Sequence, residues 1–265
     1  MPDLLLGRIA FITGGAGGIG YSIAQRYLEE GASVVLADVA LDRAATAADS
    51  LRGFAREGAG IVAVEIEVRD EVSTVAAFEA GEAALGPIDV VVANAGILFL
   101  GPAVDTPLEE WSRVIDVNLT GAFVTAKVAA ARMTAAGLDK GRIIFTSSLF
   151  GVRGGVENSA YSASKWGMLG LMKCMAAELA PAGVTVNAVC PGQIRTAMIE
   201  KLSLDRAELR GTTPEQEIDR LAATIPLGYL ANPLQIADAF IYLASDLSSY
   251  TTGQELIVDG GVLVG

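Results

Sequence analysis

The sequence predicts an α/β protein built on a doubly wound parallel sheet, as a single domain spanning residues 1–265. Three observations carry that expectation. Short apolar runs alternate with longer stretches of helical character along most of the chain. Those runs are continuous Val, Ile, Ala and Leu rather than alternating apolar and polar, the pattern of strands covered on both faces. No low-complexity linker or fixed-period repeat divides the 265 residues, a length that can bury one sizeable core.

Taken in order, strands are predicted at 8–13, 33–38, 61–66, 88–93, 142–147 and 184–189, with a last short one at 256–258. Helices are expected between them at 19–30, 42–57, 71–85, 108–133 and 159–179. The stretch 195–230 breaks the rhythm, being rich in charge and carrying Gly211, Pro214 and Pro226. Long irregular segments in compact domains often serve as lids, so 195–230 reads as a substrate lid, with a surface helical excursion as the plainer alternative.

Composition removes several function classes. The net charge of −12 and pI of 4.5 argue against nucleic acid or an anionic membrane as partner. Mean hydropathy is +0.46, yet the best spanning candidate, 84–104, is broken by Pro87, Asp89, Asn94 and Pro102. No secretory signal is visible in residues 1–7, and two isolated cysteines, Cys174 and Cys190, fit a reducing cytoplasm. The chain has no histidine, which excludes a Ser-His-Asp hydrolase and the common zinc sites, so no metal is expected. Proton chemistry must therefore use Tyr, Lys, Asp, Glu or Cys.

After the first strand comes Thr13-Gly14-Gly15-Ala16-Gly17-Gly18-Ile19-Gly20, and then a helix. Glycines there allow unusual backbone angles and close approach of a pyrophosphate, while the helix presents unpaired N–H groups. Gly15, Gly17 and Gly20 fit one dinucleotide fingerprint; Gly14, Gly18 and Gly20 fit another. Asp38 ends the second strand, where a carboxylate accepts hydrogen bonds from ribose hydroxyls and repels a 2′-phosphate. With no Arg or Lys inside the turn, NAD is the expected cofactor, although Asp38 could also be a plain turn residue.

Tyr161-Ser162-Ala163-Ser164-Lys165 lies where a helix should begin, and the i,i+4 spacing puts phenol and ammonium on one helical face. A free tyrosine titrates near ~10, and a nearby cation lowers that value toward a useful base. At this point the chain resembles the short-chain dehydrogenase/reductase family over about residues 7–261. The matching motifs are Thr13-Gly14-x-x-x-Gly18-Ile19-Gly20, Asn94-Ala95-Gly96, Asn118, Ser148, Tyr161-x-x-x-Lys165, Pro191-Gly192 with Thr196, and Asp259-Gly260-Gly261.

The resemblance implies a Rossmann-type sheet and assigns roles. Tyr161 would be the general acid/base, with Lys165 lowering its pKa and holding the nicotinamide ribose. Ser148, thirteen residues before Tyr161, would bind the substrate oxygen, with Ser147 as rival. Asn118 would interrupt its helix and extend a proton relay. Gly14, Gly17, Gly18, Ile19 and Gly20 would hold the pyrophosphate, and Asn94 and Gly96 would line the adenosine ribose above Val117. Pro191, Gly192, Ile194 and Thr196 would fix the nicotinamide carboxamide. The adenine-contacting Asp-Val of the family is here Glu67-Val68, and Tyr229 stands where related chains often carry Arg. A homotetramer is also implied.

The activity so implied is interconversion of a secondary alcohol, diols and polyols included, and its ketone, on a small molecule. Alternatives are a double-bond reductase, a sugar-nucleotide epimerase, or a cofactor-binding regulator without catalysis. Leu98, Phe99, Leu149 and Phe150, with Gly154 and Gly155, predict an apolar wall for the substrate, and Asn158 and Gln193 are its polar exceptions.

Overall fold

The computed structural model describes residues 3–264; Met1, Pro2 and Gly265, the ends of the expected domain, lie outside the described residues. Seven strands form one parallel sheet: β1 (Ile9–Thr13), β2 (Ser33–Asp38), β3 (Ile61–Glu65), β4 (Val90–Ala93), β5 (Arg142–Thr146), β6 (Thr185–Pro191) and β7 (Glu255–Val258), in the order β3-β2-β1-β4-β5-β6-β7. The helices are α1 (Gly18–Glu29), α2 (Leu41–Leu51), α3 (Glu71–Leu85), α4 (Leu108–Ile115), α5 (Gly121–Ala135), α6 (Ser159–Leu179), α7 (Ala197–Arg210), α8 (Pro214–Ala222) and α9 (Pro233–Ala244).

The apolar strands feed two cores in alternation. Phe11, Val35, Val91, Ile143 and Val186 point to one, packed under α3, α5 and α6. Ile12, Leu36, Val92, Ile144 and Val189 point to the other, under α1, α2 and α9. Two-residue alternation of side-chain direction is what lets a uniformly apolar strand serve both faces. Phe11 stacks on Phe78 of α3, with centroids 4.1 Å apart. Opposite, fully buried Tyr27 of α1 donates its hydroxyl proton to the Phe240 carbonyl of α9 at 3.1 Å.

Four expected boundaries move. The helix expected over 108–133 is divided by a π-helical turn, Asp116–Thr120, that carries Asn118. Together the pieces form a 28-residue helix apolar enough by composition to cross a membrane, but more than half of its most apolar window is buried inside the protein. α2 stops at Leu51, short of 57, where Arg52-Gly53-Phe54 tightens into a 3₁₀ turn. β4 starts at Val90 rather than at 88, because Asp89 turns its carboxylate to the Ile9 amide at 2.8 Å and the Arg8 guanidinium at 2.8 Å. The 195–230 stretch is helical, α7 and α8 meeting at Gly211, whose φ of +64° ends α7.

Strand order reverses between β1 and β4, since β2 and β3 lie to one side of β1 and β4–β7 to the other. A crevice for ligands forms at such a switch, outside the carboxyl ends of the strands. Those ends here carry the glycine turn after β1, Asn94 after β4, Ser148 after β5 and Gly192 after β6.

Candidate active site

The glycine turn is shaped by close contact on one side and open space on the other. Gly14 and Gly18 take left-handed angles, φ +65° and +56°. A Cβ on Gly14 would stand 2.9 Å from the Ala95 Cα, one on Gly15 2.6 Å from Leu36 Cδ1, and one on Gly20 would run into the Gly14 carbonyl. Around Gly18 nothing lies within 4 Å of the same position. α1 then starts with Gly17 as an extended N-cap whose helix has no side-chain cap and no acidic residue in its first turn. Its first N–H groups, Ile19 and Gly20 among them, are thus left for an anion, and donors and space together fit a pyrophosphate. Of the two fingerprints, Gly14, Gly18 and Gly20 occupy the conformationally demanding positions, while Gly17 caps.

Asn94, at the end of β4, ties itself to the glycine turn. Its amide donates to the carbonyls of Thr13 at 3.0 Å and Gly14 at 3.2 Å. The Thr13 hydroxyl accepts from the amides of Asn94 and Ala95 at 3.0 and 3.1 Å. Both residues brace the turn against the end of β4, a role for Thr13 that the sequence reading missed. Asp38 accepts from the Ala16 amide and from the Ala40 amide, each at 3.2 Å. Each carboxylate oxygen keeps lone-pair capacity for a ribose hydroxyl. Glu67 is engaged elsewhere: Arg69 holds its carboxylate at 2.7 and 2.9 Å and keeps its pKa below the ordinary value. Val68 is buried against Gly121, so its backbone is what remains for an adenine.

Tyr161 and Lys165, in the first turns of α6, meet Gly96 after β4 and Asn118 of the π-helical turn. Lys165 is 3% exposed and donates to the Thr146 carbonyl at 2.7 Å. Its ammonium stands 5.4 Å from the Tyr161 ring centroid. Gly96 lies between partners, for a Cβ there would sit 3.3 Å from Asn118 Oδ1 and 3.6 Å from Lys165 Nζ. Asn118, fully buried, closes a two-way bond with Ile97, accepting from its amide at 2.8 Å and donating to its carbonyl at 2.9 Å; it also donates to the Ser164 hydroxyl at 3.2 Å. Val117, half-buried in the same π-helical turn, packs on the core below.

The two serines separate by direction. Ser147 donates to the Lys165 carbonyl at 3.1 Å and is spent on α6. Ser148 accepts from the Phe150 amide at 3.2 Å and stands near enough to the half-buried Tyr161 phenol to oppose the rise of its pKa.

Burial governs the electrostatics of Tyr161 and Lys165. Burial raises the Tyr161 pKa above the ordinary tyrosine value, and neighbouring Ser148 opposes it. Burial also lowers Lys165, from 10.5 to about 8. No contribution from the lysine charge opposes the burial of the phenol. The physical reason is shared burial, which disfavours both charged forms.

On the far side, Pro191 ends β6, and a Cβ on Gly192 would stand 2.7 Å from the Asp259 Cα. Buried Ile194 bridges to Ala231, and Thr196 caps α7 in extended conformation. The bridge is closed by the Arg195 amide on the Ala231 carbonyl at 2.9 Å and the Ala231 amide on the Gln193 carbonyl at 3.0 Å. The 195–230 excursion thus leaves and returns through one point beside the site. Within it, the Glu217 carboxylate is 2% exposed and accepts from Arg210, Thr212 and Arg220 at 2.7, 2.7 and 2.6 Å.

Of the expected substrate wall, Leu98, Phe99 and Phe150 are half-buried, but Leu149 is 1% exposed and belongs to the core. Asn158 is buried with its Oδ1 unpartnered. A cavity of 260 Å³ opens beside the start of α6, between Ala103, Thr106, Leu108, Trp111 and Ser159.

Comparison with known proteins places this geometry. Residues 14–263 match the family profile described as Enoyl-(Acyl carrier protein) reductase. The chain is 37% identical to 3-alpha-(or 20-beta)-hydroxysteroid dehydrogenase of Mycobacterium bovis, over all of this chain and 93% of the relative. It is equally 37% identical to trans-4-hydroxycyclohexanecarboxylate dehydrogenase of Sinomonas cyclohexanicum, over 100% of this chain and 96% of that one. A crystal structure of a short-chain type dehydrogenase/reductase from Mycobacterium marinum superposes with a TM-score of 0.88 at 37% identity, covering 99% of both chains. With its parallel seven-stranded sheet and a match along nearly the whole chain, the protein is an oxidoreductase of the short-chain dehydrogenase/reductase family.

Proposed function

We propose that this protein interconverts a secondary alcohol and its ketone with NAD(H), with Tyr161 as the proton-transferring residue. The observation that carries the reading is the convergence of Ser148, Tyr161 and Lys165 on one point, with Asn118 and Gly96 beneath them. When bound, a nicotinamide dinucleotide supplies or accepts the hydride. Gly14, Gly17, Gly18, Ile19 and Gly20 would hold its pyrophosphate, Asp38 its adenosine ribose, Val68 its adenine by the backbone, and Lys165 its second ribose. Pro191, Gly192, Ile194 and Thr196 would hold the carboxamide.

The residues of the chain account for the rest of the chemistry. Ser148 positions the substrate oxygen and lends it a hydrogen bond. In oxidation, the Tyr161 oxygen takes the hydroxyl proton; in reduction it returns one to the carbonyl oxygen. Lys165 and Asn118 both border the space that a side chain on Gly96 would fill, and Lys165 passes protons away from the phenol. The half-buried Leu98, Phe99 and Phe150 favour an apolar ring or chain beside the reacting carbon. Both quoted dehydrogenases are named for hydroxylated compounds with an alicyclic frame, a steroid and a cyclohexanecarboxylate, which supports a secondary alcohol on such a frame. The α7–α8 excursion serves as the lid.

The family profile's description favours a second reading, reduction of an enoyl double bond. Ser148 beside Tyr161 suits a carbonyl oxygen better, because both groups then address the same reacting atom. A cytoplasmic home fits the two unpaired cysteines, Cys174 and Cys190. Exposed Trp111, Phe123 and Trp166 on α4, α5 and α6 support assembly into a homotetramer.

The deciding experiment follows NADH absorbance with a panel of cyclic secondary alcohols, their ketones and enoyl thioesters. Wild type should turn over the alcohols and ketones, and Tyr161→Phe should bind NAD yet lose nearly all turnover. A Tyr161→Phe variant keeping more than about a tenth of kcat overturns the acid/base assignment.

A further inference from the structure

Ser164, next to Lys165 in the chain, is a fully buried residue of α6 that takes no part in the proton transfer described above. Its hydroxyl works in two directions. It donates to the Tyr161 carbonyl, one turn back in the same helix, at 2.7 Å, and it accepts from the Asn118 side-chain amide at 3.2 Å. A serine hydroxyl has one proton, and the Tyr161 carbonyl takes it. Toward Asn118 it can therefore only accept, so the nitrogen end of that amide must face Ser164.

Asn118 is then bonded at every site but one. Its nitrogen has two protons, one on Ser164 and the other on the Ile97 carbonyl at 2.9 Å. Its oxygen accepts from the Ile97 amide at 2.8 Å and keeps capacity for one further donor. That oxygen stands 3.3 Å from where a Gly96 Cβ would lie, and Lys165 Nζ borders the same space at 3.6 Å. Ile97 and Ser164 thus hold the amide from two sides, with its oxygen toward the space that the lysine shares.

We propose that Ser164 is a positioning residue that acts through Asn118. Its hydroxyl, fixed by the Tyr161 carbonyl, keeps the amide oxygen on the Lys165 side and ties the π-helical turn to the first turns of α6. The inference rests on the proton-transfer reading above. Without that hydroxyl, one Asn118 N–H is buried with no acceptor and the amide turns to seek another. The path of protons beyond the phenol then loses its fixed geometry, while the glycine turn after β1 is untouched.

The test measures kcat and KM for a cyclic secondary alcohol, and the Kd of NAD by calorimetry, in variants of the whole protein. Ser164→Ala should lower kcat about tenfold, the worth of one buried hydrogen bond, while KM and the Kd of NAD change less than about twofold. Ser164→Thr, which keeps the hydroxyl, should retain at least about half of kcat. Ser164→Cys, close in shape but a weak acceptor, should fall about as far as Ser164→Ala, and it decides the matter with Ser164→Thr if the alanine variant does not fold. Ser162→Ala removes a buried hydroxyl of the same helix that has no partner among the described residues, and it should leave kcat unchanged. Added to Asn118→Ala, Ser164→Ala should cost less than about a further twofold, because both changes break one unit. Wild-type kcat in Ser164→Ala or Ser164→Cys, an additive double variant, or equal losses in Ser164→Thr and Ser164→Ala each overturns the role of Ser164 and leaves the Tyr161 reading standing. Wild-type kcat in Tyr161→Phe overturns that reading and this inference with it.

Discussion

The Lys165 ammonium stands 5.4 Å from the Tyr161 ring centroid, yet its hydrogen bond goes to the Thr146 carbonyl, 2.7 Å away. The polar neighbour that acts on the Tyr161 phenol is Ser148. The pair is thus arranged as neighbours with separate partners, and burial acts on each. It pushes the phenol up and brings the ammonium down to about 8.

The first consequence is a pH dependence with a defined sign. Alcohol oxidation needs Tyr161 able to accept a proton, and burial holds the phenol above its ordinary value. The kcat/KM for oxidation should therefore still be rising as pH passes 8, whereas ketone reduction, which uses the protonated phenol, should be flat and then fall. Initial rates in both directions between pH 6 and 10 check this. A flat oxidation profile would remove Tyr161 from the proton transfer.

The second concerns stability. Lys165 has a folded-state pKa of about 8 against 10.5 in the ordinary state. Below pH 8 both states are protonated and the folded chain carries the full cost of a buried charge. Between about 8 and 10.5 the unfolded chain binds the extra proton, so stability rises with pH through that window. Lys165→Met should abolish turnover yet raise stability at pH 7 by up to about 3 kcal/mol, less whatever the loss of the Thr146 bond costs. The gain should have gone by pH 10.5. Urea unfolding at pH 7 and pH 10 measures it, and equal gains at both would show that desolvation is not the cause.

Asp38 offers the third. Its carboxylate both accepts from the turn, at Ala16 and Ala40, and faces the ribose in the proposed mode. Asp38→Ser should raise the KM for NAD by roughly tenfold, the loss of one charged hydrogen bond, and narrow or reverse the preference over NADP. Asp38→Asn should keep most of the turn but still lose discrimination against the 2′-phosphate. A wild type equally efficient with NADP would refute the assignment.

Glu217 supplies the last. It ties Arg210 of α7 to Arg220 of α8 through a carboxylate that solvent barely reaches. Glu217→Gln should loosen both helices without unfolding the sheet. Amide exchange should quicken across 197–222, and the KM for ketone should rise while 5′-ADP affinity holds. Unchanged exchange would mean that the ion pairs do not hold the two helices together.

Much of the fold was legible because its causes are local. β1, β2, β3 and β5 fall within one residue of their expected limits, since a strand buried on both faces is a continuous apolar run and its ends are marked by Gly, Ser or Asp. The helices of 195–230 were legible only as the alternative to an irregular lid, because charge, Gly211 and Pro214 look like a loop, whereas Gly211 ends one helix and Pro214 begins the next.

By itself, the sequence determined the alternation of strands and helices, the left-handed glycines of the first turn, and the chemical types at Ser148, Tyr161 and Lys165. These depend on neighbours within a few residues. Only the tertiary structure decided that Ser147 turns to α6 while Ser148 meets the phenol, that Asn94 braces the turn, that Lys165 bonds Thr146, and that Ser164 accepts from Asn118. Most of those partners are separated by tens of residues and meet only where the strands end side by side. The charge states of Tyr161 and Lys165 belong to the same class, because burial exists only once the sheet and α6 have closed around them.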